Sequence, residues 1–94
     1  MALTEGQFQD YDFNRRVVLF TMKNDEAVVA CAISTDAMDL IEGTSRTTPE
    51  QRQQQFFRLR DRIEARAARK FSDVELEGNP PGVILRTIDF RPEL

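Results

Sequence analysis

The fold is decided by two stretches of sequence, residues 15–22 (RRVVLFTM) and residues 27–34 (AVVACAIS). Both stretches are short and rich in β-branched and apolar side chains, as β-strands prefer. Residues 23–26 (KNDE) lie between them and have the polar composition of a turn. Two such strands joined by four turn residues predict a β-hairpin.

Both faces of this hairpin are apolar. Strand alternation gives one face Val18, Phe20, Met22, Val29, Cys31 and Ile33, while the other face includes Val17, Leu19, Val28 and Ala30. A small two-layer domain covers only one face of its sheet with helices, so the other face is normally polar. Because the second face is apolar here, we expect its four named residues to mediate self-association.

A short helix is predicted directly after the hairpin. Ser34 or Thr35 can cap its first turn, Asp36 adds a favourable charge there, and Gly43 is placed to end it. The predicted apolar stripe of this helix consists of Ala37, Leu40 and Ile41.

A long helix is predicted over about residues 49–71. Thr48, Pro49 and Gln51 form a helix-start pattern in which Gln51 can complete a capping box. Apolar residues then recur at steps of three and four, the helical period. We expect Phe56, Leu59, Ile63 and Phe71 to pack against Val18, Phe20, Val29, Cys31 and Ile33.

The remaining segments complete the expected architecture. Residues 1–14 are read as an extended N-terminal arm, residues 73–77 as an optional short strand, and residues 83–90 as the last strand, within a single domain spanning 15–90 and followed by a tail at 91–94. The predicted fold is a two-layer α+β domain with an antiparallel sheet of three to four strands and two helices on one face. The predicted order of elements is β-β-α-α-(β)-β.

Size and charge narrow the class of protein. Ninety-four residues suffice for one domain, and the formal charge of −3 differs from the basic excess typical of nucleic-acid-binding proteins. One cysteine forms no internal disulfide, so a reducing compartment is expected. The N-terminus has no secretory-signal pattern, and no apolar stretch reaches the length of a membrane span. A cytoplasmic protein with no membrane contact is therefore expected.

The residue inventory predicts no catalytic centre, cofactor or metal site. The sequence has no histidine, the commonest general base near neutral pH and the commonest metal ligand. Cys31 lies within a predicted strand and is read as a buried core thiol. Asp89 lies between Ile88 and Phe90, and we expect it to cap a turn where the last strand ends. The protein is therefore expected not to be an enzyme.

The long helix carries an uneven distribution of charge. Residues 49–71 contain seven basic and three acidic residues, against six and thirteen in the rest of the chain. Spacings of four, four and three residues put Arg58, Arg62, Arg66 and Arg69 on one helix face. This arginine row is interpreted either as a solvated face with intrahelical pairs or as a site for an anion or an acidic partner, since guanidinium groups pair well with carboxylate and phosphate.

Two functions remain open at this point. The first is protein association, as a homodimer or with another protein, through the apolar hairpin face. The alternative is a nucleic-acid or anionic-ligand binding module that uses the arginine row. Of these ligands, nucleic acid is less favoured than a small anion, because no aromatic side chain alternates with the arginines. The rest of the chain is acidic and repels a polyanion.

Four short motifs, in order, resemble a known family. They are Tyr11-Asp12 before the strand Arg16–Phe20, Cys31–Ser34 running into a helix, Arg60–Glu64 within the long helix, and Asp89-Phe90 at the end of the last strand. Together they are similar to the DUF1488 family of small bacterial proteins, the Shew3726-like fold group, over residues 11–90. The resemblance implies a small two-layer α+β fold and a bacterial cytoplasm. It implies no activity and no site residues, since the family is itself uncharacterised.

Overall fold

The predicted hairpin is present and forms the centre of a four-stranded sheet. The computed structural model describes residues 3–44, 47–78 and 81–90. Its elements are β1 (Thr4–Asp12), β2 (Val17–Asn24), β3 (Ala27–Ser34), α1 (Thr35–Glu42), α2 (Arg52–Ser72) and β4 (Val83–Leu85). The strands lie side by side in the order β1-β2-β3-β4, and β2 pairs with β3 in an unbroken antiparallel register from Val17↔Ser34 to Asn24↔Ala27.

The segment predicted as an extended arm is a regular strand over most of its length. β1 pairs antiparallel with β2, with register shifts between Thr4 and Gln7 and between Phe8 and Asp10. These irregularities place Phe8 opposite Phe20 and Tyr11 opposite Val18, so two aromatic side chains three residues apart reach the same sheet face. The sheet therefore gains an edge strand that the alternation of the sequence does not reveal.

The C-terminal part of the sheet differs from the prediction in strand direction and length. β4 pairs with β3 in parallel, so the sheet is mixed and not antiparallel throughout. Residues 73–77 form no strand: Val74 has a left-handed backbone (φ 57°), and only an isolated bridge joins Glu77 to Gly82. The predicted strand 83–90 ends at Leu85, and Thr87–Phe90 forms a 3₁₀ turn.

The long helix agrees closely with its prediction. A 3₁₀ turn over Pro49–Gln51 leads into α2, and Gln51 Oε1 accepts a hydrogen bond from the Thr48 amide at 3.0 Å. The expected caps of α1 are also present. Ser34 Oγ accepts a hydrogen bond from the Ala37 amide at 3.1 Å, and Gly43 ends the helix in the left-handed conformation (φ 75°) that glycine adopts most easily.

The apolar stripe predicted for α1 is partly wrong. Leu40 is 47% exposed, whereas Met38, which the prediction omitted, is fully buried together with Ala37. Met38 lies one residue after Ala37 on an eight-residue helix, where several choices of apolar face fit a short sequence equally well. The orientation of α1 is therefore set by its packing and not by the pattern of its own residues.

The core lies between one sheet face and both helices. The predicted contacts of α2 are confirmed, since Phe56, Leu59 and Ile63 join a cluster with Phe20 and Ile33, and Phe71 packs at its margin. The sheet residues in this cluster all lie on one face: Val18, Phe20, Met22, Cys31, Ile33, Val83 and Leu85. The α+β class, with two helices on a four-stranded sheet, is confirmed.

Two further observations concern expectations about the ends of the chain and the membrane. The tail predicted at residues 91–94 lies outside the described residues. Among the described residues, no helix combines the length and the apolar character that crossing a bilayer requires.

Candidate functional site

The sheet face opposite the core, here called the outer face, is apolar and carries all four residues predicted for self-association. The register of β2 and β3 places Leu19 opposite Ala32 and Thr21 opposite Ala30. On β2, β3 and β4 the face consists of Val17, Leu19, Thr21, Val28, Ala30, Ala32 and Ile84, with Lys23 opposite Val28 at the end near the hairpin turn. Ala32 is buried among its neighbours. Val28 is 66% exposed, and Ala30 is exposed as well. Both helices contribute their buried residues to the opposite face, so neither covers this surface.

Charged side chains border the outer face. A groove of about 250 Å³ is lined by apolar residues of β2, β3 and β4 together with Arg15 and Glu77. Glu77 accepts a hydrogen bond from Arg86 at 2.9 Å, and this bond lowers the pKa of the Glu77 carboxyl. On the β1 side, Asp10 and Asp12 pair with Leu19 and Val17 and therefore belong to the outer side of the sheet. The border thus has the acids Asp10 and Asp12 along β1, and toward β4 it has the cation of Arg15 beside the Glu77–Arg86 ion pair.

The arginine row lies on α2 as predicted, but its four members have different surroundings. Arg58 forms a two-pronged ion pair with Glu42 of α1, with Nε–Oε2 and Nη2–Oε1 distances of 2.9 and 3.1 Å. The hydrogen bond from Arg58 is the main reason that the pKa of Glu42 is lowered. Arg58 therefore connects the two helices, although its side chain is 54% exposed.

Arg66 is held by the C-terminal turn. Its Nε donates to the Asp89 carbonyl oxygen at 2.8 Å, and its Nη2 lies 3.3 Å from Asp89 Oδ1. The Nη1 atom of Arg66 is buried and has no hydrogen-bond partner among the described residues. Lys70, one helical turn further on, donates to Asp89 Oδ2 at 3.0 Å and to the Ile84 carbonyl oxygen at 2.8 Å.

Asp89 has the turn-capping role expected from the sequence, and its side chain is more strongly engaged than expected. Its Oδ2 accepts the Arg86 amide at 2.8 Å, which closes the 3₁₀ turn, while Arg66 and Lys70 occupy the rest of the carboxylate. The Asp89 and Lys70 side chains are only 7% and 8% exposed. This cluster fixes the C-terminal turn against α2.

Arg62 and Arg69 differ from the other two arginines of the row. Both are exposed, and neither makes a side-chain hydrogen bond or ion pair with the part of the chain that the structure describes. They line an open cleft of about 410 Å³ together with Ala65, Arg66, Asp89 and Phe90. Hence one half of the predicted row is engaged within the molecule, and the other half faces solvent.

A second polar cluster joins α1 to α2 and was not predicted. Arg52 Nη1 lies 2.7 Å from both Asp39 Oδ1 and Gln55 Oε1, and Gln55 Nε2 donates to the same Asp39 oxygen at 3.0 Å. Burial alone would raise the pKa of Asp39, but the hydrogen bonds from Arg52 and Gln55 outweigh it and lower the pKa. The partners lie 13 and 16 residues from Asp39, a separation at which helical spacing gives no signal.

The Arg60–Glu64 pair within the motif noted above has a structural role. Arg60 Nε lies 2.6 Å from Glu64 Oε2. This pair also binds the backbone of β1, since Arg60 Nη2 donates to the Gly6 carbonyl oxygen at 2.6 Å and Glu64 Oε2 accepts the Gly6 amide at 3.1 Å. The two side chains therefore satisfy the backbone of the edge strand where its register shifts.

The Cys31 thiol and the Tyr11 side chain both lie in structural environments. Cys31 is buried on the core face, and burial raises the pKa of its thiol to about 11, which opposes formation of the nucleophilic thiolate. Tyr11 packs against Phe13, with ring centroids 4.7 Å apart, and is not among the residues lining the cleft beside Asp89. Within the described ranges, no cluster of three or more metal-ligating side chains has the arrangement to hold an ion.

Comparison with known proteins gives a family and a fold. The model of the DUF1488 family, described as a protein of unknown function, matches residues 5–80. The crystal structure of a protein of unknown function from the DUF1488 family of Shewanella loihica PV-4 has a TM-score of 0.73 with this chain at 20% sequence identity. The similarity covers 90% of this chain and 91% of the Shewanella chain. No curated protein matches the sequence.

Proposed function

We propose that this chain, which belongs to the DUF1488 family of proteins of unknown function, acts by protein association and pairs with a second copy of itself through the outer face. The observation that carries the proposal is the exposure of apolar side chains, Val28 above all, on a sheet face that neither helix covers. Contiguous exposed apolar surface of this kind is typical of interaction sites in soluble proteins.

Sheet-on-sheet packing suits this surface. Two sheets stack face to face at about 10 Å when their facing side chains are small and apolar. Alanine, valine and threonine dominate the outer face, and its largest side chains are Leu19 and Ile84. Two copies can therefore interlock without large gaps between them.

The charges at the border favour a second copy over an unrelated apolar partner. A two-fold axis parallel to the strands places β1 of one copy over β4 of the other, because such an axis exchanges opposite edges of the sheet. Asp10 and Asp12 then approach the Arg15 side of the partner copy, and the same contact is repeated by symmetry. Both contacts bring opposite charges together, which favours this register over shifted ones.

We further propose that the protein is not an enzyme. The proposal is supported by the raised pKa of the Cys31 thiol and by the engagement of the Asp89 carboxylate with Arg66, Lys70 and the Arg86 amide. The sequence also lacks histidine. Each of these features works against the general-base or nucleophilic chemistry that enzymes most often use.

Sedimentation of the wild type and two single-charge variants tests the association. At about 50 µM, above the Kd of a micromolar complex, the wild type should sediment as a dimer of the 10.9 kDa chain. Val28→Glu places a charge at the most exposed large apolar residue of the outer face and should yield monomer with an unchanged circular dichroism spectrum.

The matched control is Ile88→Glu. Ile88 is 72% exposed but lies in the C-terminal turn, outside the outer face, so this variant should remain a dimer. A wild type that sediments only as a 10.9 kDa monomer would overturn the proposal, and so would a Val28→Glu protein that remains dimeric.

A further inference from the structure

The cleft between α2 and the C-terminal turn has the composition of an anion site. Within residues 3–44, 47–78 and 81–90, its lining contains three guanidinium groups, from Arg62, Arg66 and Arg69, and a single carboxylate, Asp89. That carboxylate is already shared by Arg66 and Lys70. The cleft therefore has an excess of positive charge on a molecule whose formal charge is −3.

The arrangement is more specific than a charged helix surface. Arg66 is held in place by two contacts to Asp89, and its buried Nη1 has no acceptor among the described residues. Burial of this donor and the two contacts to Asp89 restrict the movement of the Arg66 side chain. Arg66 therefore supplies a fixed charge at the centre of the cleft.

Arg62 and Arg69 flank this centre, and their side chains donate to none of the residues that the structure describes. They are seven residues apart on α2, which corresponds to about 10 Å along the helix axis. The small side chain of Ala65 lies between them in the lining, and Phe90 adds an aromatic surface. The cleft thus combines the engaged guanidinium group of Arg66 with two separated cationic side chains and the apolar surfaces of Ala65 and Phe90.

We propose that this cleft binds an acidic peptide segment of a protein partner, with two carboxylates on Arg62 and Arg69 and an apolar side chain against Phe90. In an extended peptide, side chains two residues apart lie about 7 Å apart on one side, within reach of two long arginines flanking the cleft. Guanidinium groups bind carboxylates through paired hydrogen bonds, which makes arginine well suited to this task.

A polynucleotide fits the surroundings less well than a short acidic peptide. The chain outside residues 49–71 carries six basic and thirteen acidic residues, so a long polyanion that extends beyond the cleft meets like charge. Phe90 is the one aromatic residue among the described residues of the lining, whereas single-stranded nucleic acids are usually bound by several stacked aromatics.

Fluorescence anisotropy with a labelled peptide tests the proposal. The probe is an extended peptide with glutamates at its first and third positions and a leucine at its fifth, three positions that share one side of the chain, and the comparison probe replaces both glutamates with glutamine. Only the acidic probe should bind, and its affinity should fall as salt rises from about 20 to 200 mM, because screening weakens exposed ion pairs. Arg62→Gln combined with Arg69→Gln should weaken binding by about tenfold or more.

The matched control is Arg58→Gln, which removes a charge from the same helix but outside the cleft. It should leave peptide affinity within about twofold, because Arg58 is already paired with Glu42 and does not line the cleft. Several results would overturn the proposal: no binding at low salt, equal losses in the Arg58 and Arg62/Arg69 variants, equal binding of the glutamine probe, or tighter binding of a single-stranded oligonucleotide. The Val28→Glu variant should bind the peptide normally, so failure here and failure of self-association are separate outcomes.

Discussion

The two faces of the central hairpin have similar compositions and very different surroundings. Val18, Phe20 and Met22 alternate along β2 with Val17, Leu19 and Thr21, yet the first three are at most 1% exposed and the others are only half-buried. The ion pairs on the two sides differ in the same way: Lys70–Asp89 is buried beside the core, and Glu77–Arg86 is exposed near the outer face. Apolar composition alone therefore does not identify the face that stabilises the monomer.

The largest difference in the free energy of unfolding is expected when neighbouring residues on the two faces are each replaced by alanine. Phe20 lies 5.1 Å from Phe56 between ring centroids and is buried, so Phe20→Ala should reduce the free energy of unfolding by about 3–5 kcal/mol. Leu19→Ala should cost only about 1–2 kcal/mol, because its side chain is already partly hydrated. Urea denaturation at about 1 µM protein measures both, since dilution removes the contribution of self-association.

Equal losses for the two variants at this concentration would contradict the comparison. They would mean that the outer face is buried within the monomer. A loss for Leu19→Ala that appears only at high protein concentration would instead place the Leu19 contribution in the dimer interface.

The next largest difference in the free energy of unfolding is expected when one charge is removed from each of the pairs Lys70–Asp89 and Glu77–Arg86. Asp89→Asn leaves the Lys70 ammonium buried without its counter-charge, so the free energy of unfolding should fall by about 3 kcal/mol. Glu77→Gln removes an exposed partner of Arg86, and its effect should lie within experimental error.

A double variant shows whether burial is the cause. Lys70→Met combined with Asp89→Asn removes both charges and should be more stable than Asp89→Asn alone, because no uncompensated ammonium remains at that site. If Asp89→Asn by itself has no measurable effect, water reaches the Lys70 ammonium and the contrast between the two pairs does not hold.

The elements predicted well are those whose signals are local. Capping residues and uninterrupted helical periodicity define α2 to within a few residues, and the β-branched runs around KNDE define β2 and β3. β1 lacks such a signal, because the bulges bring Phe8 and Tyr11 to one face at a spacing of three. Its backbone is held in part by Arg60 and Glu64, more than fifty residues away in sequence.

The candidate sites show the same limit. Helical spacing predicted four arginines on one face of α2, and all four lie within this helix, but spacing did not separate Arg58 and Arg66 from Arg62 and Arg69. Their partners, Glu42 and Asp89, lie 16 and 23 residues away and come close only through packing. The parallel direction of β4 was equally inaccessible, since it depends on the path of the chain through both helices.

The smallest expected difference between the two faces is in how a thiol on each face changes the stability of the protein at alkaline pH. Burial raises the pKa of the Cys31 thiol from its ordinary 9.0 to about 11, whereas backbone hydrogen bonds at Val83 and Met22 oppose the shift only in part. Between these two values the unfolded chain has lost the thiol proton and the folded chain retains it. Stability should therefore fall as pH rises through this window, with a slope of up to about 1.4 kcal/mol per pH unit from this group.

Thermal denaturation from pH 8 to 11 measures this slope when the wild type is compared with Cys31→Ala. The variant should lack the slope, and lysine and tyrosine titrations cancel in the comparison because both proteins share them.

The matching experiment on the outer face introduces Ala30→Cys into the Cys31→Ala background. Ala30 is exposed and lies on the outer face, so a thiol there should ionise near its ordinary pKa in both states and contribute no slope. The stability of this double variant could also fall with rising pH, but only at protein concentrations where the chain is dimeric. That result would show that the second copy buries position 30. A slope that persists at about 1 µM would instead show that the monomer already shields its outer face from water.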